Sequence, residues 1–393
     1  MLRGFKYRFY PTPEQELLLR RTIGCARLVY NKALAERSAA WTQAKKSVGY
    51  AQQDRSLTGW KKTAELTFLN DVSSVPLQQA LRHLQTAYTN FFQKRASYPS
   101  FKRKSAGGSA VFTRSAFAFR DGQLKLAKMS APLDIRWSRR LPEGAQPTTV
   151  TASLDAAGRW HVSLLCEDST VKKLPKLKTA VGIDLGITAL ATLSTGEKIQ
   201  NPRHDESEIA RKRQLSRSLS KKKKGSHNRY KAQQKLARLH ARIADRRKDS
   251  LHKLSTRLVR ENQVIAVEDL NIAGMVRNRS LARVISDAGW RQLLTMLAYK
   301  CEWYGRDFVK IDRYFPSSKT CHSCGVVVER LPLSIREWKC EACGMPHDRD
   351  VNAAKNVLAE GHSVAIACGP GVRHRILRNQ VQLGLKQETP GVS

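Results

Sequence analysis

Hydrophobic and polar residues alternate at the start of the chain, with Phe5, Tyr7 and Phe9 on one side and Lys6 and Arg8 on the other. A period of two predicts a half-buried strand. Thr12-Pro13-Glu14-Gln15 then opens a helix: Thr12 supplies the N-cap, Pro13 takes the first helical position and Gln15 closes a capping box. Leu19, Ile23, Ala26, Tyr30 and Leu34 follow at helical spacing, and the pattern resumes at Leu77, Leu81, Leu84, Tyr88 and Phe91-Phe92. From Val111 to Cys166 the period returns to two. Phe117 and Phe119 face Leu124 and Leu126 across Asp121-Gly122, a hairpin-turn dipeptide. A second hairpin runs from Val150, Ala152 and Leu154 through Ala157-Gly158 to Trp160, Val162 and Leu164. The lone first strand needs a partner, and this β-region is the nearest one. The helices between them then read as an insertion in a β-barrel-like domain.

Leu174-Pro175-Lys176-Leu177-Lys178 reads as a short basic linker. After it come a buried strand from Ala180 to Ile183, a glycine turn, and a second strand from Ala189 to Leu193. A very basic helical stretch follows, broken at Lys221-Lys222-Lys223-Lys224-Gly225-Ser226. Its second arm carries Leu236, Leu239, Ile243, Leu251, Leu254 and Leu258 as an apolar stripe backed by Lys and Arg. Val264 to Glu268 forms another buried strand, and Asp350 begins a helix with Ala353, Ala354, Val357 and Leu358 on its apolar face. Beyond Gly361 no periodicity remains, which predicts a disordered tail.

Composition narrows the class. A chain of 393 residues exceeds one ordinary core, and 41% hydrophobic content is enough to build several. Lys and Arg number 70 against 33 Asp and Glu, a formal net charge of +37. That excess repels itself unless a polyanion neutralises it, which points to nucleic acid. A membrane surface is the rival, but no amphipathic anchor or long apolar run supports it. Met1-Leu2-Arg3-Gly4-Phe5-Lys6 has no apolar signal core, so a cytoplasmic location is expected, with association to the nucleoid when DNA is bound.

Two constellations carry chemistry. Cys321, Cys324, Cys340 and Cys343 have C-x2-C-x15-C-x2-C spacing, two knuckles that grip one tetrahedral Zn2+. A four-thiolate site has no open position, so this zinc is structural. The other constellation is Asp184, Glu268 and Asp350, each at the end of an apolar strand or the start of a helix. Taken singly, Asp184 reads equally as a turn former and Asp350 as an N-cap. Together they are hard oxygen ligands from separate segments, as paired Mg2+ ions for phosphodiester hydrolysis require. Asp269 follows Glu268, and alternation sends only one of the two towards a common site. We assign Glu268 to the site and Asp269 to capping the next turn.

The chain resembles the TnpB family, transposon-encoded RNA-guided DNA endonucleases related to type V CRISPR effectors. The matching stretches include Phe9-Tyr10-Pro11-Thr12-Pro13-Glu14-Gln15, Tyr98-Pro99-Ser100-Phe101-Lys102, and Gly182-Ile183-Asp184-Leu185-Gly186-Ile187. They continue through Glu268-Asp269-Leu270-Asn271, Ser286-Asp287-Ala288-Gly289-Trp290, the cysteines, and Asp348 to Ala354. The chain does not depart from the family pattern at the carboxylates or the cysteines. The resemblance implies an α/β multidomain protein: an RNase H-like (RuvC) nuclease domain with an inserted zinc ribbon, preceded by a β-barrel (wedge) domain with an inserted helical recognition domain. The expected spans are 1–11 and 106–173 for the wedge domain, 12–105 for the helical domain, 174–313 and 346–360 for the nuclease, 314–345 for the zinc finger, and 361–393 for the tail.

The resemblance also implies a guide RNA derived from the transposon end, a double-stranded DNA target, and a short motif beside that target. Asp184, Glu268 and Asp350 would be the catalytic metal ligands. Lys221, Lys222, Lys223, Lys224, Arg246, Arg247 and Lys248, taken as a group, form a candidate phosphate track. Two rival functions stay open: a nuclease-silent RNA-guided DNA binder or repressor, and an RNase H-like transposase.

Overall fold

A computed structural model describes residues 1–104, 107–332 and 334–367. The chain divides into two compact units, one of residues 1–170 and one beginning at Val171. In the first, β1 (Leu2–Tyr10) buries Phe5, Tyr7 and Phe9, as its alternation requires. α1 (Pro13–Ala44) starts with the predicted capping box, in which the Thr12 side chain accepts the Gln15 N–H and the Gln15 side chain accepts the Thr12 N–H. α2 (Tyr50–Trp60), a 3-10 turn (Ala64–Asn70) and α3 (Ser74–Phe92) follow. Leu19 and Ile23 of α1 lie in the core under the sheet, while Val29, Ala33 and Leu34 pack with Leu77, Leu81 and Leu84 of α3. One helix thus serves two cores, so the helical segment is continuous with the β-domain.

The strands β2 (Gly108–Thr113), β3 (Phe117–Arg120), β4 (Gln123–Leu126), β5 (Asp134–Arg136), β6 (Pro147–Leu154) and β7 (Trp160–Glu167) complete this unit. β1 pairs antiparallel with β7 and β5, so the lone first strand finds the partner expected of it. The sheet order is β2-β6-β7-β1-β5. Among the described residues no pairing joins β2 to β5, so the expected barrel is an open sheet. The β3–β4 hairpin contributes Leu124 and Leu126 to the same core. Its turn residues Asp121 and Gly122 have φ of 49° and 74°, the left-handed pair that a two-residue hairpin turn needs.

The second unit begins with β8 (Ala180–Asp184), β9 (Ala189–Leu193) and β10 (Lys198–Gln200). The basic arms are α4 (Ile209–Ser220) and α5 (His227–Glu261), followed by β11 (Val264–Glu268), α6 (Ile272–Met275), α7 (Ala282–Ala288), α8 (Trp290–Tyr304) and β12 (Asp307–Ile311). Last come β13 (Glu337–Lys339), β14 (Pro346–Asp348) and α9 (Arg349–Ala367). The sheet order is β10-β9-β8-β11-β12, antiparallel from β10 to β8 and parallel from β8 through β11 to β12.

The two faces of this sheet are packed differently. Val181, Ile183, Ile265 and Val267 share a core with Leu251 and Leu258 of α5 and Leu293 and Leu297 of α8. The intervening positions face α9 and are small: a Cβ on Gly182 would meet Ala354 and Leu358, and one on Gly361 would meet Ala266. α9 therefore lies unusually close to the sheet. It also continues to Ala367, so Gly361 belongs to a packed helix and not to the tail predicted from that point. The remainder of the predicted tail, 368–393, lies outside the described residues. Among the described residues, no helix is long and apolar enough to cross a membrane.

Candidate metal-binding and nuclease site

Register brings two of the carboxylates together. β8 and β11 are parallel neighbours with Gly182 opposite Ala266 and Ile183 opposite Val267. One step further, at the two strand tips, stand Asp184 and Glu268. Side chains alternate along a strand, so Asp184 shares the face of Gly182 and Glu268 shares that of Ala266, the face covered by α9. Asp350 lies in the first turn of α9. Its negative charge and that of Glu268 both act on Asp184. Burial first, then these two charges, push the Asp184 carboxyl up to about 7, partly offset by Arg349 and Arg336. An acid so raised accepts a divalent cation in place of its proton.

The surroundings assign the neighbouring residues. Ser317 Oγ donates to Glu268 Oε1 at 2.5 Å. Arg336 stands 3.4 Å from Asp350 Oδ1. The capping role open to Asp350 belongs to Asp348, whose Oδ1 accepts the Val351 N–H at 2.9 Å while Lys198 holds its other oxygen. Asp269 turns away from the site, to Lys310 at 2.9 Å and Arg313 at 3.0 Å. It does not cap the next turn as expected. Asn271 does, accepting the Gly274 N–H at 3.1 Å.

The four cysteines converge, with all their Sγ atoms within 4.8 Å of one another. Cys321 and Cys343 are 3.7 Å apart, as are Cys324 and Cys340. That is far beyond a disulfide bond of about 2.05 Å. It matches the sulfur–sulfur edge of a tetrahedron built on Zn–S bonds of about 2.3 Å. Gly325 and Gly344, with φ of 77° and 71°, form the turns, each donating its N–H to the carbonyl of the first cysteine of its knuckle at 2.8 Å. The thiolate set thus fits zinc. It is the one cluster this tight among the described residues, so the carboxylates are spaced more widely than the thiolates.

Sequence reasoning missed the residues that tie the two sites together. Asn352, at 1% exposure, accepts the His322 N–H at 3.0 Å and donates to the Thr320 carbonyl at 2.7 Å. Asn356, at 4%, donates to the carbonyls of Ser317 and Thr320. Arg349 reaches the Pro332 carbonyl at 2.6 Å. The available signal was an asparagine pair at i, i+4 on a helix face otherwise apolar, since buried amides need partners.

The basic candidates separate. Lys221 to Lys224 lie exposed in the turn between α4 and α5. Arg246 instead pairs with Glu208 at 3.3 Å and Arg247 with Asp287 at 2.9 Å, so acidic partners do lie near these two. Lys248 is half-buried on the same helix.

Comparison with known proteins agrees along the chain. Residues 161–279 match the family described as "Probable transposase", residues 290–357 the "Cas12f1-like, TNB domain", and residues 1–46 a "Helix-turn-helix domain". That last segment is here a strand and one 32-residue helix. A Streptomyces pristinaespiralis protein named "Putative RNA-guided DNA endonuclease" is 60% identical over 99% of this chain and 98% of its own. Its namesake InsQ from Escherichia coli K12 is 33% identical over 95% of each. A solved Cas12f1 complex with sgRNA and target DNA shares the fold at a TM-score of 0.56 and 12% identity, covering 91% of this chain and 98% of its own. With more than half its residues identical to such a relative along nearly the full length of both, this chain belongs to the TnpB family of RNA-guided DNA endonucleases.

Proposed function

We propose that this chain is an RNA-guided double-stranded DNA endonuclease in which Asp184, Glu268 and Asp350 hold catalytic Mg2+. The observation that carries the reading is the level placement of Asp184 and Glu268 on adjacent strand tips, facing the helix that bears Asp350. The sheet order, three antiparallel strands continued by two parallel ones, supports an RNase H-like (RuvC) nuclease core. The chemistry a divalent metal supplies when bound is charge stabilisation of in-line displacement at phosphorus and acidification of water. Glu268 is oriented by Ser317 for this task. Asp350 is set by the cap at Asp348 and by the packing of α9 against Gly182. Cys321, Cys324, Cys340 and Cys343 hold a structural Zn2+. A guide RNA from the transposon end would read the target by base pairing, with the protein reading the short adjacent motif and the duplex backbone. The excess of 70 Lys and Arg over 33 Asp and Glu suits both nucleic acids.

The test is to sequence the RNA that co-purifies with the protein and then supply a matching plasmid with Mg2+. A discrete RNA ending in a variable segment, with cleavage at the matched site and none from Asp184→Ala, is expected. Random RNA fragments would return the chain to a general basic nucleic-acid binder. The match to a "Probable transposase" family favours strand transfer as a second reading. Joining of transposon ends without RNA would establish that one instead.

A further inference from the structure

We infer that Ser317 is a positioning residue for the metal-binding carboxylate Glu268, and that Asn356 holds Ser317 in place from the helix that carries Asp350. The inference rests on the reading of Glu268 as a metal ligand. Ser317 is 6% exposed, and its hydroxyl donates to Glu268 Oε1 at 2.5 Å. A hydrogen bond to one carboxylate oxygen fixes the plane of the group, and so where the second oxygen points. A glutamate at a strand tip otherwise has three side-chain torsions to lose on binding metal.

Ser317 does not stand on its own. Its carbonyl accepts from Asn356 Nδ2 at 2.8 Å, and the same amide reaches the Thr320 carbonyl at 2.6 Å. Asn352, one turn earlier on α9, takes the Thr320 carbonyl and the His322 N–H. The strap from Ser317 to His322 includes Cys321, the first thiolate. So two buried amides on α9 clamp one strap, and that strap orients Glu268 at one end and enters the zinc knuckle at the other. The helix that brings Asp350 therefore also sets Glu268, and the two carboxylates cannot move independently.

A hydroxyl that only filled space would be replaceable by Ala without consequence for metal. A positioning hydroxyl is not, since partners behind a ligand typically contribute about 10- to 100-fold in metal affinity. The experiment uses the full zinc-loaded chain in its RNA complex, titrated with Mn2+ by calorimetry. Asp184→Ala run in parallel subtracts the metal held by RNA. Ser317→Ala is expected to bind Mn2+ about tenfold more weakly at this site, while zinc content, melting temperature and target-DNA binding stay at the parent values. Cleavage should recover at high metal concentration, and Ser317→Thr, which keeps the hydroxyl, should restore affinity to within about threefold. Unchanged Mn2+ affinity in Ser317→Ala would overturn the positioning role. If Asp184→Ala also binds and cleaves as the parent does, the metal assignment itself fails, a separate outcome.

Discussion

Gly182, on the strand that ends in Asp184, lies directly beneath Ala354, on the helix that begins beside Asp350. A Cβ at Gly182 would collide with the Ala354 carbonyl oxygen and come within 2.7 Å of the Leu358 backbone nitrogen. Both are backbone atoms inside a helix, so no side chain can swing aside. Gly182→Ala should therefore lift α9 from the sheet, costing about 3 kcal/mol or more, and cleavage should fall with it. Gly24→Ala is the control, because that glycine lies within α1 with nothing inside 4 Å of the added atom. It should be neutral or stabilise by up to about 1 kcal/mol. Comparable melting temperatures for the two variants would contradict the close packing.

Asp184 should make the metal-free protein sensitive to pH. Its carboxyl is raised from 3.8 to about 7, so between those values the folded state holds a proton that the unfolded state has released. Stability from this group is complete below the unfolded value and is lost as pH rises through about 7. Asp184→Asn removes the charge that burial and its neighbours disfavour. Thermal melting without divalent metal should show the variant more stable at pH 8 by about 1–2 kcal/mol, discounted for partial solvent access, and equal to the parent near pH 4. The same variant should bind target DNA and not cut it.

How much of the fold and site is legible in the sequence depends on the range of the interactions involved. Strand tips at Asp184 and Glu268 follow from apolar runs, and the capping box at Thr12 from four consecutive residues. Closure of the first sheet is not legible, because alternation says which face is buried but not which edges meet. Nor are the partners of Arg246 and Arg247, since Glu208 and Asp287 sit on other helices. Ser317 carries no local signal, since a loop serine becomes informative only when the fold brings Glu268 to it. α9 runs past the end that its sequence suggests, because the apolar periodicity fades at Gly361 while the helix continues to Ala367. In the fold that glycine is the contact point for Ala266.

Glu268 and Asp269 are adjacent carboxylates with opposite fates. Glu268→Ala should abolish cleavage and leave guided binding intact. Asp269→Ala breaks partly exposed pairs with Lys310 and Arg313, so it should cost about 1 kcal/mol of stability and leave the cleavage rate within about twofold. Single-turnover cleavage alongside chemical denaturation separates the two. Reversed effects would mean that the face assignment of β11 is wrong.

Cys321→Ser or Cys340→Ser should release zinc, because three thiolates hold it far less well than four and metal binding here is folding energy. The clamp formed by Asn352 and Asn356 carries the damage onward, since the strap it grips would no longer end in a fixed knuckle. Cleavage should fall by at least about tenfold although zinc takes no part in the chemistry. A variant shown by metal analysis to lack zinc, yet cutting at the parent rate, would falsify the coupling.

The basic arms offer a contrast between two kinds of cation. Lys221 to Lys224 are exposed and lie in a turn, open to phosphates, so replacing all four with Gln should weaken nucleic-acid binding uniformly across target sequences. Every phosphate that a lysine no longer neutralises should flatten the plot of log affinity against log salt by roughly one. Arg247 carries the same charge, but its guanidinium is committed to Asp287 at 2.9 Å. Moreover, the second Asp287 oxygen accepts the Asp205 N–H at 3.0 Å, and Asp205 in turn holds Lys212 at 2.7 Å. Arg247→Gln should therefore lower stability by about 1–3 kcal/mol and leave the salt slope alone, because it takes a charge from an internal pair and not from a phosphate. Affinities measured at several salt concentrations, with melting curves, decide the matter. An unchanged slope in the quadruple lysine variant would place that turn outside the nucleic-acid path, and a changed slope in Arg247→Gln would mean that its pairing with Asp287 opens when nucleic acid binds.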